Sequence, residues 1–217
     1  MKIQWFGHSC VKIESASGKT IIIDPYREEI GFKLPEISSD IVLISHNHYD
    51  HNNKEAIKGN PFIAEGPGEY NVAGFSIIGV NSWHDDEEGQ KRGENIIWVI
   101  TNDNFTIAHF GDFGQKELTP EQADIIGDID ILFIPVGGTF TINGNEAVRI
   151  INKLEPKAVV PIHYKILGLK RSEIAGPEEF LHSLGVENAN PIDEWKVKAS
   201  DLPLDGRRVV VLNRKIC

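Results

Sequence analysis

Cysteine is scarce. Only Cys10 and Cys217 occur in the 217-residue chain, at nearly opposite ends, and this spacing supports neither a disulfide framework nor a CxxC thiolate metal site. Long apolar runs are missing too. The longest, Ile96-Ile97-Trp98-Val99-Ile100 and Ile41-Val42-Leu43-Ile44, are far short of the roughly 18 residues of a spanning helix, so no membrane segment is expected. The opening Met1-Lys2-Ile3-Gln4-Trp5-Phe6-Gly7-His8 lacks the charged start, apolar core and cleavage site of a secretory signal, which makes the cytoplasm the expected location. Positive charge is short as well. Lys and Arg total 22 against 32 Asp and Glu, a net charge of −10, and that average field disfavours nucleic acid as a partner while leaving a local basic site open. No Pro/Gly/Ser-rich linker interrupts the chain, so one compact domain over residues 1–217 is expected. Apolar residues at 41% and charged residues at 25% exclude disorder and fibres.

Short β-branched runs are plentiful. Asp40-Ile41-Val42-Leu43-Ile44, Asp130-Ile131-Leu132-Phe133-Ile134 and Ala158-Val159-Val160-Pro161-Ile162 each lead into a polar or glycine-containing loop and read as buried strands. Helical patterns run from Asn53 to Lys58, from Thr119 to Ile126 with Pro120 suited to a first turn, from Asn145 to Leu154, and from Pro177 to Leu184. This alternation points to α/β layering. Val11 to Glu14, a turn at Ser17-Gly18 and Thr20 to Asp24 form one hairpin pattern; Ile96 to Thr101, a turn at Asn102-Asp103 and Phe105 to Asp112 form another. Two β-rich halves with helices interspersed suggest an αββα sandwich of two mixed sheets, and a single mixed sheet fits the periodicity as well.

The densest chemistry is Ser45-His46-Asn47-His48-Tyr49-Asp50-His51, directly after an expected strand. Neutral imidazoles and carboxylates are good ligands for Zn, Mn, Fe and related ions. In a tight loop the alternate side chains His46 and His48 can converge while Asp50 and His51 turn towards a second position, since one ion cannot readily use all four. His84, Asp112 and His163 also stand at or just beyond expected strand ends, the edge where ligands collect in α/β architectures. As an isolated residue, His84 reads equally as an exposed loop histidine. Asp24 reads as a residue orienting a ligand imidazole or as a turn former before Pro25. His8 and His109 are candidate proton donors or substrate contacts, with an internal hydrogen-bonded role as the alternative. Tyr164 is a further candidate, and Lys165, Lys170 and Arg171 read as an anion site or a solvated loop. His182 has no role.

His46-x-His48-x-Asp50-His51, followed by His84, Gly111-Asp112 and His163, resembles the metallo-β-lactamase superfamily of binuclear metal-dependent hydrolases. Phe6-Gly7-His8-Ser9, Ile23-Asp24-Pro25, Pro135 to Thr141 and Pro161-Ile162-His163-Tyr164 extend the likeness over nearly the whole chain, and look most like the branch containing ascorbate-6-phosphate lactonase. The resemblance implies an αββα fold in which His46, His48 and His84 hold one divalent ion, Asp50, His51 and His163 hold the other, and Asp112 bridges them. Zinc is the first expectation for both ions, with manganese, iron or nickel as alternatives.

Two ions sharing Asp112 would lower the pKa of a water towards roughly 7 and provide hydroxide for attack on a small lactone or ester, with or without a phosphate. In this account Asp50 and Asp112 are catalytic as well as metal-binding, with His8 and His109 as further catalytic candidates. Ser9 and Cys10 lack a base that sequence can place, so a covalent mechanism is the weaker account. Asp112 stands where antibiotic-degrading members often carry cysteine, and no RNA-gripping arm is evident. Phosphodiester cleavage, or a metal-binding module without turnover, are the rival readings. The polar loop from Asp85 to Gly93 reads as a cover over the cleft or as a mobile hairpin tip. The expected partner is a small molecule, and a homo-oligomer is compatible with the sequence.

Overall fold

The computed structural model describes residues 1–102, 104–171 and 173–216, so Cys217 and Asp103 of the second expected turn lie outside the described residues. In chain order the first half contributes β1 (Lys2–Gly7), β2 (Cys10–Glu14), β3 (Thr20–Ile23), β4 (Ile37–Ser38), β5 (Ile41–Leu43), β6 (Ile57–Lys58) and β7 (Phe62–Ala64). The second contributes β8 (Gly68–Val72), β9 (Phe75–Trp83), β10 (Glu94–Asn102), β11 (Phe105–His109), α1 (Pro120–Ile126), β12 (Ile131–Pro135), α2 (Gly144–Leu154), β13 (Ala158–Ile162), α3 (Glu178–Ser183), β14 (Trp195–Lys196) and β15 (Arg208–Val209).

Two mixed sheets result. The first runs β14-β1-β2-β3-β5-β7 and the second β15-β13-β12-β11-β10-β9-β8, with a small β4-β6 pair beside them. Both expected hairpins are present, β2 pairing β3 through Val11↔Ile23 and β10 pairing β11 through Trp98↔His109. After each hairpin the chain turns parallel, β3 to β5 and β11 to β12. Parallel neighbours need a crossover; α1 and α2 provide it between β11, β12 and β13.

Alternation along the strands divides the apolar side chains. Ile21, Ile23, Ile41 and Leu43 join the core shared with the second sheet, where Ile77, Ile97 and Phe133 are buried. Ile22 and Val42 point the other way, into a smaller cluster with Cys10, Tyr26, Ile30 and Leu34. The helices start as their sequences dictate: Thr119 and Gln122 close a capping box on α1, and Asn143 and Glu146 close one on α2. Ala147, Ile150 and Ile151 form the buried face of α2.

The expected helix from Asn53 to Lys58 is not formed. A 3₁₀ turn covers Lys54–Ala56 and the chain then pairs as β6. Asn53 is the reason: its side chain donates to Tyr26 O at 2.8 Å instead of capping a helix, and Ile57 is held by pairing with Ile37. The outer layer of the first sheet is therefore made of 3₁₀ turns and loops rather than α-helix, while α1, α2 and α3 belong to the second half. Among the described residues, no helix is long and apolar enough to cross a membrane.

β12 and β13 are fully buried along their lengths. Phe133→Ala should cost about 3–5 kcal/mol by loss of transfer energy and creation of a cavity. Chemical denaturation should show a lowered midpoint with little change in slope.

Candidate metal centre

The carboxyl ends of β1, β3, β5, β9, β11 and β13 carry His8, Asp24, the 45–51 loop, His84, Asp112 and His163 respectively. The two halves are tied together at this edge, since Ile96 N donates to Ser45 O at 2.8 Å and His163 N donates to His8 O at 2.9 Å. His8, Asp24 and His163 have φ of 55°, 49° and 50°, left-handed backbone that costs a non-glycine residue of order 1–2 kcal/mol. Their strain is concentrated where the imidazoles must be aimed inward.

Asp112 lies at the centre. Its Oδ2 is 3.2 Å from Nε2 of His51, 3.2 Å from His163, 3.3 Å from His84 and 4.0 Å from His46. Three groups of donor atoms each fall within 4.8 Å of one another: His8, His51 and His163; His46, His48 and His84; and His46, His51 and Asp112. His46, His51, His84, Asp112 and His163 are buried, while His48 is exposed at the cleft mouth.

The donors fit metal. Nε2 of His46 and of His51 are buried without a hydrogen-bond partner although Asp112 is near. Buried polar atoms are normally satisfied, and nitrogens aimed at a common carboxylate without hydrogen-bonding it are arranged as ligands. The set is entirely nitrogen and oxygen, suited to Zn, Mn, Fe or Ni.

Protonation is strongly perturbed. Burial, with His51 nearby, pushes the His46 imidazole well below its usual range, and burial with His163 nearby pushes His8 down to about 4. Burial also lowers His109. Burial opposes the charged form of His51, but Asp112 and Asp24 on either side outweigh it and hold this imidazole well above its usual value. Burial likewise works against the Asp112 carboxylate, yet His163 and His51 keep it ionised well below the usual range. For Asp50, burial is outweighed by the hydrogen bond from His8, and its carboxyl is lowered.

Several contacts fix the donors. Asp24 accepts from Ser45 N at 2.7 Å, Ser45 Oγ at 2.7 Å and His51 Nδ1 at 3.0 Å, so a single buried carboxylate anchors both the loop and one ring. Ser45 Oγ is also 2.9 Å from His46 Nδ1. Asn95 accepts from Asp112 N at 2.9 Å and donates to Phe110 O and Ser82 Oγ. A Cβ on Gly114 would run into the backbone of His84 and Asp85, so glycine is needed there for close approach.

The remaining candidates divide. His8 Nε2 lies 3.3 Å from Asp50 Oδ2; Asp50 lines the cleft and His8 is fully buried behind it. His109 is turned away from the cluster: Nε2 donates to Ser9 O at 3.0 Å and Nδ1 accepts from Gly111 N at 3.2 Å. Ser9 Oγ donates to Asp112 Oδ1 at 3.3 Å and has no imidazole base in hydrogen-bond contact. Tyr164 stacks on Trp5 at 5.0 Å and lines a different cavity. Of the basic cluster, Arg171 reaches the cleft, where it donates to Tyr49 Oη at 2.8 Å and to Asp50 at 3.3 Å, whereas Lys165 and Lys170 are exposed outside its lining. His182 is exposed on α3.

The loop after His84 is no loose tip. Asp85 is buried and accepts four backbone N–H bonds, from Glu87, Gly89, Lys91 and Arg92, at 2.7–2.9 Å. Arg92 at its end lines the cleft, as does Phe140. Sequence reasoning placed Arg92 within the polar Asp85 to Gly93 loop and Phe140 within the Pro135 to Thr141 stretch without singling either out, and it missed Asn95, an amide near the start of an otherwise apolar strand.

A cleft lined by buried imidazoles around one carboxylate, at the joined edges of two mixed sheets, defines a class. A β-lactamase superfamily domain model matches residues 2–163, and the chain belongs to the metallo-β-lactamase superfamily. It is similar to a UPF0173 metal-dependent hydrolase from Thermococcus onnurineus, 30% identical over 217 residues and covering 85% of this chain and 92% of the relative. A similar protein from Pyrococcus furiosus is 29% identical over 216 residues, with the same coverage. Among solved structures, a Thermotoga maritima protein assigned as a Zn-dependent hydrolase of the superfamily aligns with a TM-score of 0.80 and 34% identity over 97% of this chain and 98% of its own. An isothiocyanate hydrolase from Delia radicum gut bacteria shares the fold, with TM-score 0.66 and 19% identity over 92% of this chain and 100% of its own. The chain is thus a metal-dependent hydrolase of this superfamily.

Asp24→Ala leaves Ser45 N, Ser45 Oγ and His51 Nδ1 without their acceptor. Metal affinity should fall about 10–100-fold, as for loss of a carboxylate orienting a ligand imidazole, measured by competition with a chromophoric chelator.

For the chelator-treated chain, His8, His46, His48 and His109 are shifted towards the neutral form when folded but take up protons near pH 6.5 when unfolded. Lowered folded pKa values in bases destabilise the fold as pH drops through the unfolded value. His51 has the opposite sign: its contribution is fully present below pH 6.5 and fades above it. Four against one, the melting temperature should fall between pH 6.5 and 5; a rise would show that the cluster is protonated in the fold.

Proposed function

We propose that the chain is a binuclear metallohydrolase acting on a small lactone or ester. Its first ion would be held by His46, His48 and His84, its second by Asp50, His51 and His163, with Asp112 shared. The observation that carries this reading is the meeting of the imidazole groups on Asp112, whose Oδ2 lies within 4.0 Å of Nε2 in His46, His51, His84 and His163.

Bound divalent cations supply Lewis acidity and acidify water to a pKa of roughly 7. The chain supplies placement. Asp112, kept ionised and pinned through its backbone by Asn95 and through Oδ1 by Ser9, is a fixed acceptor at the floor of the cleft. Asp24 sets the His51 ring and leaves its Nε2 facing inward. His8, neutral at physiological pH, donates Nε2–H to Asp50 and so fixes the direction of that carboxylate. His109 holds the turn at Gly111 before Asp112, which makes its contribution one of position. Tyr49 and Phe140 supply apolar wall that limits water around a bound substrate.

Elemental analysis of purified wild type and Asp112→Ala after exposure to zinc or manganese tests the reading. About two ions per wild-type chain and clearly fewer in the variant are expected, because one substitution weakens both positions. Hydrolysis by Asp112→Asn should fall by orders of magnitude, whereas exposed His182→Ala should retain wild-type rates. One ion or none in the wild type overturns the binuclear assignment, and turnover of bis-aryl phosphates with none of lactones moves the substrate class to phosphodiesters.

A further inference from the structure

The chain carries a net charge of −10, yet the opening above Asp112, a cavity of about 290 Å³, is flanked by two guanidiniums. Arg92 comes from the end of the Asp85 turn and Arg171 from the segment after β13, and both approach Phe140: their Cζ atoms stand 5.5 Å and 5.1 Å from its ring centroid. Two like charges around one ring repel one another. Contact with the ring face offsets part of that repulsion, and an anion between the guanidiniums would offset the rest.

The two arginines differ in what they already hold. Arg171 donates to Tyr49 Oη and Asp50 and lies 3.8 Å from Glu173, so its charge is largely matched. Arg92 gives one hydrogen bond, from Nη2 to Thr139 O at 3.2 Å, and meets no carboxylate among the described residues. A guanidinium has five N–H donors in a planar fork, so Arg92 retains donors for a ligand. It is also held ready. Its backbone N–H donates to Asp85 at 2.7 Å, and Gly89 in the same turn, at φ +80°, packs where a Cβ would strike Trp83. The acidic groups facing this cleft are Asp50, matched by His8 and Arg171, and Asp112, surrounded by imidazoles.

We propose that Arg92, backed by Phe140 and Arg171, is an anion-binding rim, and that the substrate carries a carboxylate or phosphate which this rim grips while the bond to be cleaved lies over Asp112. This rests on the hydrolase reading, and it narrows the substrate class from lactones and esters in general to those bearing an anionic oxygen group. The same geometry makes Asp85 a positioning residue for Arg92.

Calorimetric titration decides the matter, using phenylphosphonate and benzoate as the two anionic probes and benzyl alcohol as the uncharged control. The chain is tested zinc-loaded and chelator-treated, as wild type, Arg92→Ala, Arg92→Lys and Asp85→Ala, with zinc content measured on each sample. Arg92→Ala should weaken at least one anion by about tenfold or more, the scale of one lost charge-assisted hydrogen-bond set, without changing benzyl alcohol binding or zinc content. Arg92→Lys should recover part of the loss, and Asp85→Ala should shift affinity in the same direction as Arg92→Ala. Preference for phenylphosphonate assigns a phosphate-bearing substrate; preference for benzoate assigns a carboxylate. Wild type that binds neither anion, or Arg92→Ala that binds both as wild type does with its zinc intact, overturns the rim. Metal stoichiometry judges the binuclear reading separately: Arg92-dependent anion binding with no uptake of zinc or manganese upholds the rim while the binuclear assignment fails.

Discussion

The buried carboxylate of Asp24 is the contact on which the rest of the site depends. It directly follows β3 and is wholly buried, and a polar group in such a place must have its hydrogen bonds supplied by the protein. Ser45 meets this need twice and His51 once, so the requirement that fixes Asp24 also fixes both ends of the histidine-rich loop. Ser45 then passes the constraint to the second half of the molecule through its carbonyl to Ile96, and to the adjacent His46 ring through its hydroxyl. One carboxylate sets the spacing between the sheets where the imidazoles converge.

Asp112 is the counterpart on the other sheet, and it is managed differently. Asp24 is saturated by donors, whereas Asp112 Oδ2 is left among imidazole nitrogens that approach it without satisfying one another. That contrast separates a structural carboxylate from one kept for an external charge. The left-handed backbone at His8, Asp24 and His163 is tolerated because buried strands on either side over-determine those positions.

Much of this was legible in the chain because its signals are local. β-Branched runs mark the central strands, Pro120 after Thr119 marks the start of α1, and the helical pattern from Asn145 to Leu154 marks α2. The cluster from His46 to His51 stood out because it follows a buried strand directly. The misread segment, Asn53 to Lys58, had a capping residue and no competing local signal, and its fate was decided by Tyr26 O, which lies far back in the chain. Tyr164 shows the limit of adjacency: beside His163 in sequence, it points to the opposite side and packs on Trp5. Arg92, Phe140 and Asn95 gain their roles from partners 13 to 48 residues away, on other elements. No window of sequence contains such pairs. The Asp85 turn was visible only as a polar stretch because its order comes from backbone amides, which carry no sequence signature.

Cys10 has a quieter consequence. It is the fully buried first residue of β2, and burial together with Asp24 pushes its thiol well above the usual range. Oxidants and disulfide partners react with thiolate rather than thiol, so burial and the raised thiol both slow sulfenic acid formation and exchange at this sulfur. No sulfur stands among the described residues around Asp112 either. The centre is built from donors that peroxide does not readily attack, which lets the same fold keep its geometry through changes in redox conditions that would dismantle a cysteine-ligated site.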